Sequence, residues 1–346
     1  MKILFTAEYD SDLLDEIMQL GDVEMAGWAI GDPKIPEETL KGMVQGIDIL
    51  ITSYDGITKG VIDAASQLKL IVCTRATPVN VDCAYAKEKG IPVLYTPGRN
   101  SDSAAELTIA LVLACARHFP QAFQALHAGK YCTPDETMKR TTASGLKEDI
   151  TWGIGIDQPY MVFKGMDLKN KTLGIIGFGS IGKRVAHIAK AFGMHILVFD
   201  PYASEIDVDM VGQEKVDLDT LLRRADFVSL HVKITHATRG MMNADRFAMM
   251  KPTAYFINTS RAAAVDEDAL INAIRKGIIA GAGLDVFAKE PISCSHPFIK
   301  EFGDRVIVTP HIAGATRDAI INHTRMVISD VKRFIAGEPL LYEYRE

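Results

Sequence analysis

Three side chains with complementary chemistry follow apolar, strand-like runs in the second half of the sequence. Arg261 comes after AYFINTS, Glu290 after GLDVFAK and His311 after VIVTP. A guanidinium can hold a carboxylate through two parallel hydrogen bonds and polarise the keto oxygen beside it. Histidine can donate a proton to that oxygen, and a neighbouring glutamate favours the imidazolium form. Together these are the groups that reduction of a 2-keto acid needs.

Each of the three residues also has an ordinary structural explanation. The arginine could tie loops together, the glutamate could be a surface residue before a proline, and the histidine could cap the last helix. For any one residue alone the structural explanation is favoured. The carboxyl ends of strands in a doubly wound sheet lie along one edge, beside a bound dinucleotide, so the three side chains can converge there. As a set, they therefore predict a catalytic site.

A stretch at 172–200 predicts where the dinucleotide binds. It reads as an apolar strand (TLGII), the turn GFGSIG, an amphipathic helix, a second strand (HILVF) and an aspartate. Gly177 permits the tight turn out of the strand, Gly179 lets the backbone approach a pyrophosphate, and Gly182 lets the helix pack close to the strand. A bare glycine pattern is weak, but its combination with these elements indicates a dinucleotide site.

The polar groups around this turn predict NAD(H) as the cofactor. The N–H groups of Ser180 and Ile181 lie at the positive end of the helix dipole, where they suit phosphates. Asp200 follows about 20 residues beyond the glycines, where a carboxylate accepts hydrogen bonds from a ribose diol. The same carboxylate repels a 2′-phosphate, and residues 201–206 contain no Arg or Lys to offset that repulsion.

The rest of the chain alternates strands with helices, which predicts parallel sheets covered by helices. The predicted strands of a small N-terminal α/β domain are Lys2–Phe5, Ile47–Ile51, Leu70–Thr74 and Val93–Tyr95. Its predicted helices are Asp12–Leu20, Val61–Ser66 and Cys83–Lys89. We expect the ligand at the carboxyl ends of these strands, in the loops Thr52–Gly56, Arg75–Asn80 and Thr96–Asn100.

A strongly apolar helix, Ser101–His118, is predicted to connect this domain to a second one. Beyond Asp200 the predicted elements are a helix at Asp266–Lys276 and the strands Phe227–Leu230, Ala254–Asn258, Gly281–Val286 and Val306–Thr309. With the strands at the glycine turn there are at least six, enough for one doubly wound dinucleotide domain.

Composition excludes several functional classes. The chain has 346 residues, 48% of them hydrophobic, and a net charge of -6, which gives no basic field for nucleic acid or an anionic membrane. The five cysteines are scattered without CxxC or zinc spacing, so we predict reduced thiols, no metal site and a cytoplasmic location. The start of the chain lacks the apolar core of a secretory signal.

The stretch Tyr131–Phe163 is polar and has the weakest pattern in the sequence. Trp152, Tyr160 and Phe163 are its large apolar residues. It is predicted to be a surface excursion held down by these aromatic rings, and the alternatives are a dimer contact or a flap over the active site.

The sequence also resembles the D-isomer-specific 2-hydroxyacid dehydrogenases, a family that includes phosphoglycerate, D-lactate, glycerate and hydroxypyruvate enzymes. The resemblance covers nearly the whole chain. The matching motifs are LKLIVCTRA, TPGRNSDSAAELT, KTLGIIGFGSIGKRVA, MKPTAYFINTSRAAAVDEDAL, GAGLDVFAKEP and VTPHIAGAT. In that family the corresponding arginine, glutamate and histidine form the catalytic set, which implies these roles for Arg261, Glu290 and His311.

The resemblance further implies a fold, a set of cofactor contacts and an assembly. A Rossmann-type NAD-binding domain, 103–311, is inserted in a flavodoxin-like substrate domain, 1–102 with 312–346, which the helix Thr316–Ala336 completes. The implied cofactor contacts include Val232, Thr259 and Asp285, the last with the nicotinamide carboxamide. The implied assembly is a homodimer formed through the nucleotide domains.

Some positions depart from the family pattern and leave the substrate open. The substrate loop reads RATPVNVD and is two residues shorter than usual, Lys233 replaces a common Pro, and Ala262 and Ala263 replace usual glycines. No basic residue occurs at 52–55, where phosphoglycerate enzymes often have one, and no regulatory domain is expected after Glu346.

Polar groups in the first domain favour a small 2-keto or 2-hydroxy acid with a polar or phosphorylated tail. Arg75 and Thr77 lie in the unusual loop and Arg99 lies in the next one, and we predict Arg75 and Thr77, with Arg261, as substrate contacts. The alternative for Arg75 is an ion pair with a neighbouring carboxylate.

Two other functions are compatible with parts of the sequence. An NAD(H)-sensing binding protein, like the co-repressors that share this fold, could keep both the glycine turn and the three residues without turnover. A formate dehydrogenase of the same superfamily is disfavoured, because it would have Gln and His in place of Glu290 and Pro291.

Overall fold

The chain forms two compact units. The computed structural model describes residues 1–132, 156–209 and 212–345. One unit, here called the discontinuous unit, comprises Met1–Ser103 and Gly314–Glu346, and the other, the continuous unit, comprises Ala104–Ala313. The chain passes from the first to the second within the long apolar helix that the sequence predicts as a connector.

Both units consist of strands that alternate with helices. In chain order the strands are β1 (Lys2–Phe5), β2 (Asp22–Met25), β3 (Ile49–Thr52), β4 (Leu70–Cys73), β5 (Val93–Leu94), β6 (Thr172–Ile176), β7 (His195–Phe199), β8 (Glu214–Lys215), β9 (Phe227–Leu230), β10 (Tyr255–Asn258), β11 (Gly281–Leu284) and β12 (Val306–Val308). The α-helices are α1 (Leu14–Met18), α2 (Glu37–Met43), α3 (Lys59–Ala64), α4 (Cys83–Glu88), α5 (Ser101–Arg117), α6 (Phe119–His127), α7 (Pro159–Val162), α8 (Ser180–Ala191), α9 (Glu205–Asp209), α10 (Leu218–Arg224), α11 (Ala244–Ala248), α12 (Glu267–Arg275), α13 (Pro297–Lys300) and α14 (Arg317–Ala336).

The discontinuous unit is a five-stranded parallel sheet in the order β2-β1-β3-β4-β5. Strands β3 and β4 are buried along their whole length, as expected for a parallel sheet covered on both faces. Helix α14 covers part of one face, where Val327, Ile328 and Val331 pack with Ile3 and Phe5 of β1. The order is the flavodoxin-like one, in which ligands bind at the carboxyl ends of the strands.

The continuous unit contains a seven-stranded parallel sheet in the order β12-β11-β10-β9-β6-β7-β8. Numbered from its own first strand, β6, this is the Rossmann order extended by one strand, with the change of direction between β6 and β9. Two apolar clusters cover its faces, one of which includes residues of α5 and α8 and the other residues of α10 and α12. The predicted fold class, two doubly wound parallel sheets, is confirmed.

The segments with the strongest apolar patterns form the predicted helices and strands. Some short elements, and a partly polar strand at a sheet edge, were not predicted. Strand β9 has the predicted bounds, and α12 begins after Asp266, whose side chain accepts the Ala269 N–H. The prediction missed β2, which lies at a sheet edge, and the two-residue strand β8. It also missed α2, whose single fully buried residue is Leu40.

Three further predictions concern the stretch Tyr131–Phe163, membrane-spanning helices and metal sites. Most of Tyr131–Phe163, including Trp152, lies outside the described residues, so the role of this stretch stays a prediction. Within the described part, the rings of Tyr131 and Phe163 pack edge to face, with their centroids 5.7 Å apart. None of the helices in the described ranges is long and apolar enough to cross a membrane. In the same ranges no group of histidine, cysteine and carboxylate side chains could hold a metal ion.

Candidate active site

The glycine turn between β6 and α8 has the geometry that the sequence predicts. Gly177 has a φ of +96°, and a Cβ there would lie 2.5 Å from the carbonyl oxygen of His231. A Cβ on Gly182 would lie 2.1 Å from the carbonyl oxygen of Gly177, so the first turn of α8 packs directly on the loop. A Cβ on Gly179 would meet none of the described residues within 4 Å. The open space is therefore at the glycine to which a pyrophosphate must come closest.

Asp200, at the end of β7, is the acidic residue that the sequence assigns to a ribose. Its Oδ2 accepts the Phe178 N–H at 2.7 Å, and its Oδ1 accepts the N–H groups of Tyr202 and Ala203 at 2.8 and 3.3 Å. The carboxylate therefore joins the glycine turn to the loop after β7, and Oδ2 can still accept a further hydrogen bond. Lys215 also reaches this loop, where its Nζ donates to the Ala203 carbonyl at 2.6 Å.

Four of the other predicted cofactor residues lie beside this turn or at a neighbouring strand end. Ser180 and Ile181 begin α8, with Ser180 exposed. Val232 follows β9, and its Cγ1 would lie 3.2 Å from a Cβ on Gly177. Thr259 follows β10 directly, and its buried hydroxyl is 2.7 Å from that of Thr108 on α5.

His231 is a residue at this edge that sequence reasoning missed. It follows β9 directly, its Nε2 is 2.8 Å from the Ser229 hydroxyl, and its buried Nδ1 has no partner among the described residues. Burial lowers the pKa of His231 to about 4, so the ring is neutral at pH 7. Its position immediately after an apolar strand was the signal that could have found it.

His311 and Glu290, the predicted proton-transfer pair, lie in contact, and their catalytic role stays a prediction. His311 Nδ1 lies 2.6 Å from Glu290 Oε2, and Glu290 Oε1 accepts the Phe287 N–H at 3.0 Å. A carboxylate can only accept, so Nδ1 carries a hydrogen and Nε2 is left for a reacting group. Burial raises the pKa of Glu290, but the hydrogen bonds from His311 and Phe287 and the nearby charges of His311 and Arg261 outweigh it, so the pKa lies below its ordinary value.

Arg261 belongs to the same cleft as this pair. It is exposed and precedes a 3-10 helix at Ala262–Ala264, and its Nη1 donates to its neighbour's carbonyl, that of Ser260, at 2.7 Å. The cleft has a volume of about 400 Å³ and is lined by Arg261, Ala262, Ala263, Val265, Val286, Phe287, Ala288, Glu290 and His311. A cation, a carboxylate and an imidazole therefore line one apolar-walled cleft.

Asp285 has a role that the sequence did not reveal. It is fully buried at the end of β11 and accepts the Thr309 hydroxyl at 2.6 Å and the N–H groups of Ile312 and Ala313 at 2.8 Å each. These groups flank His311, whose φ of +56° is uncommon for a residue other than glycine. Asp285 therefore fixes the turn that presents the histidine, and its contact with a nicotinamide stays a prediction.

The predicted substrate residues of the discontinuous unit lie after β4. Thr77 is exposed, and Arg75 lies over the Tyr54 ring at 5.1 Å from its centroid. Within the described parts of the chain no carboxylate forms an ion pair with Arg75, so the alternative of a structural ion pair is not observed. The Arg75 carbonyl accepts the Thr96 N–H at 3.0 Å, which joins the loops after β4 and β5.

The residues around the glycine turn fit an NAD molecule. Open space lies where a pyrophosphate needs it, backbone N–H groups begin α8, and a carboxylate stands at the end of the next strand. Residues 109–313 match the family model described as D-isomer specific 2-hydroxyacid dehydrogenase, NAD binding domain.

Similar proteins support the same family. The chain is 36% identical to a glyoxylate reductase of Thermococcus litoralis, over 97% of this chain and 94% of that protein. It is 34% identical to a D-3-phosphoglycerate dehydrogenase of Synechocystis, over 98% of this chain but only 55% of the relative's length.

The fold of the chain is similar to the crystal structure of the TT0316 protein from Thermus thermophilus. The TM-score is 0.80 at 30% identity, with both chains covered completely. The family match spans more than half of the sequence, including every residue of the Arg261, Glu290 and His311 cleft. The chain therefore belongs to the D-isomer-specific 2-hydroxyacid dehydrogenase family.

Proposed function

We propose that the protein is an NAD-dependent oxidoreductase that interconverts a small D-2-hydroxy acid and its 2-keto acid. The observation that carries this proposal is the 2.6 Å contact between His311 and Glu290 in the cleft that Arg261 also lines. In the proposal the continuous unit, with predicted bounds 103–311, binds the dinucleotide. The discontinuous unit, with predicted bounds 1–102 and 312–346, binds the substrate through Arg75 and Thr77.

The residues of the cleft divide the reaction between them. The reduced nicotinamide, when bound, supplies the hydride. Arg261 holds the substrate carboxylate through its guanidinium and polarises the keto oxygen. His311 donates its Nε2 proton to that oxygen in reduction and takes it back in oxidation. Glu290 fixes the orientation of the ring through Nδ1 and stabilises the imidazolium.

The substrate class follows from the polar character of the proposed substrate residues. Arg75 and Thr77 favour a polar or phosphorylated tail over a branched aliphatic one. Relatives carry the names glyoxylate reductase, hydroxypyruvate reductase and D-3-phosphoglycerate dehydrogenase. The acids in these names are all short, and the last two carry a hydroxyl or phosphate tail.

A turnover screen tests the proposal. Purified protein with NADH is offered a panel of 2-keto acids, plain and phosphorylated, and oxidation of NADH is followed by absorbance. We expect hydroxypyruvate or its phosphate to saturate the enzyme at lower concentration than a branched aliphatic keto acid. NADH binding without turnover of any acid would instead support the NAD(H)-sensing function.

The assembly and the cellular location are part of the proposal. We infer a homodimer formed through the continuous unit and a cytoplasmic location. Light scattering coupled to size-exclusion chromatography measures the mass in solution, and a value near one chain of 37.9 kDa would contradict the dimer.

A further inference from the structure

Glu267 connects two segments of the continuous unit that lie further along the chain. It is the first residue of α12, but the cap of that helix comes from Asp266, whose side chain accepts the Ala269 N–H at 3.0 Å. The oxygens of Glu267 are directed elsewhere. Oε2 accepts the Ala288 N–H at 3.0 Å, and Oε1 lies 3.2 Å from Nε2 of His296. The carboxylate therefore joins the start of α12 to the loop after β11 and to the start of α13.

The ring of His296 is fixed as a donor toward Glu267. Its Nδ1 accepts the Phe298 N–H at 3.3 Å, which caps α13, so the neutral ring carries its hydrogen on Nε2. Phe298 is buried in the core of the continuous unit, and its ring centroid lies 4.8 Å from that of His296. The imidazole is therefore held by the backbone and by an anchored aromatic ring, and it orients Oε1 of Glu267.

The loop that Glu267 holds is the one that carries Glu290. Two successive backbone N–H groups of this loop donate to two different carboxylates, that of Phe287 to Glu290 Oε1 and that of Ala288 to Glu267 Oε2, each at 3.0 Å. The other oxygen of Glu290 lies 2.6 Å from Nδ1 of His311. A change of the backbone at Ala288 would therefore move the neighbouring N–H that orients Glu290.

The two glutamate–histidine pairs differ in their exposure. The side chains of His311 and Glu290 are 49% and 36% exposed, which suits a pair that must reach a ligand. Those of His296 and Glu267 are only 19% and 25% exposed, and neither residue is among those that line the cleft of Arg261. The geometry of the second pair therefore suits a support for the loop, not a contact with the substrate.

We propose that Glu267, oriented by His296, is a positioning residue for the proton transfer, because it fixes the 287–290 loop so that Glu290 stays against Nδ1 of His311. This inference rests on the proposed function for the roles of Glu290 and His311. The alternative is a purely structural role, in which the carboxylate interacts with the positive end of the α12 dipole and contributes only to stability. The two roles predict different behaviour of His311.

The titration of His311 tests the proposal without any turnover. The imidazole C–H signal is followed by NMR across a pH series and is assigned as the signal that is missing in His311→Ala. In Glu267→Ala we expect the midpoint of this titration to lie about 0.5 to 1 pH unit below that of the wild-type protein, because a displaced Glu290 carboxylate favours the imidazolium less. Asp268→Asn is the matched control, since it removes an exposed carboxylate from the same turn of α12, and it should leave the midpoint unchanged.

A double variant shows whether Glu267 acts through Glu290. In the Glu290→Gln background no carboxylate is left to displace, so Glu267→Ala should move the midpoint little there. An equal shift in both backgrounds would mean that Glu267 acts on His311 directly through its charge, and it would overturn the proposal, as would an unchanged midpoint in Glu267→Ala. If the alanine variant does not fold, Glu267→Gln, which keeps one acceptor oxygen for two donors, is measured in its place, and a midpoint equal to that of the wild-type protein would again overturn the proposal.

Kinetics measure the effect of the same variants on the reaction. With NADH and a 2-keto acid that the wild-type protein reduces, Glu267→Ala should lower kcat about tenfold to a hundredfold with KM nearly unchanged, the usual cost of a misplaced catalytic group. His296→Asn keeps a cap for α13 but withdraws the ring from Glu267, so it should cause part of the same loss.

The two measurements separate this proposal from the proposed function. Turnover of a keto acid with an unmoved His311 midpoint in Glu267→Ala would leave the proposed function standing and refute the positioning role. A lowered midpoint that returns in the Glu290→Gln background would support the positioning of Glu290 even if the wild-type protein reduces no acid.

Discussion

Glu290 uses one carboxylate oxygen for His311 and the other for the Phe287 N–H, so its orientation is fixed by the backbone. Replacing it by glutamine keeps a similar shape but removes the charge that favours the imidazolium. In Glu290→Gln we expect the alkaline fall of kcat/KM for keto-acid reduction to move to lower pH by roughly one unit or more. Initial rates across a pH series measure this. An alkaline limb that does not move would show that Glu290 only shapes the loop.

Removing the imidazole should have a larger and different effect. His311→Ala eliminates the proton donor, so we expect a loss of about 10² to 10⁴ in kcat for reduction at every pH, the usual contribution of a positioned general acid. NADH binding, measured by fluorescence, should change little and serves as the control for folding. A loss of less than tenfold would assign the proton transfer to another group.

The glycine turn between β6 and α8 offers a matched pair of substitutions. A Cβ at Gly182 would collide with the Gly177 carbonyl at 2.1 Å, whereas a Cβ at Gly179 would touch no residue in the described ranges. We therefore expect Gly182→Ala to lower the free energy of unfolding by a few kcal/mol, in the range of about 1–3 typical of overpacking. Gly179→Ala should leave stability nearly unchanged and weaken NADH binding, because the added methyl group occupies the approach to the pyrophosphate.

Chemical denaturation and fluorescence titration with NADH separate these two effects. The prediction for Gly179 fails if the alanine variant binds NADH with the wild-type Kd. Loss of stability in both variants would show that the open space at Gly179 is used by the protein itself.

Asp200, at the end of β7, should determine whether the enzyme prefers NADH or NADPH. The Asp200 carboxylate repels a 2′-phosphate, and Lys215, a cation that reaches this loop, already donates to the Ala203 carbonyl. We expect kcat/KM with NADH to exceed that with NADPH, and Asp200→Asn to reduce the ratio. A wild-type preference for NADPH would refute the assignment.

Most strands could be predicted from the sequence because they are long apolar runs. Contacts between residues that lie far apart in the sequence could not be predicted. Strands β6, β9 and β10 consist mostly of buried aliphatic and aromatic residues, and Arg261 comes shortly after β10. Strand β2, with partly polar composition at an edge, carries no such signal. The link between Arg99 and His323 joins residues 224 positions apart, so only the folded sheet reveals it. The same holds for Asp285, whose three partners come from the turn after β12.

Stability of the whole molecule should depend on pH through His323. Burial of this ring on α14 lowers its pKa to about 4 in the folded chain, against about 6.5 when unfolded, so the unfolded chain binds more protons between these values. The contribution of His323 to the free energy of unfolding is therefore fully present above pH 6.5, and it is lost as the pH falls toward 4. Between pH 7 and 5 we expect a loss of about 2 kcal/mol from this residue. Urea unfolding should show a smaller loss in His323→Asn, and an identical loss in that variant would contradict the assignment.

The position of α14 has a consequence for biosynthesis. The core of the discontinuous unit joins Ile3 and Phe5 to Val327 and Ile328, and the Asp10 N–H donates to the hydroxyl of Thr324, 314 residues later. During translation at roughly 5 to 20 residues per second, β1 must wait about 15 to 60 s for its covering helix. The continuous unit, Ala104–Ala313, has all its strands in one segment and can fold first.

If the continuous unit folds first, fragments of the two units should behave differently in isolation. A fragment of residues 104–313 should unfold cooperatively and resist protease, whereas a fragment of residues 1–103 should be digested rapidly until a chain segment that contains α14 is supplied. Circular dichroism and limited proteolysis measure both. Residues 1–103 are therefore synthesised well before the helix that covers their sheet, and their apolar strands need protection from aggregation until α14 has been made.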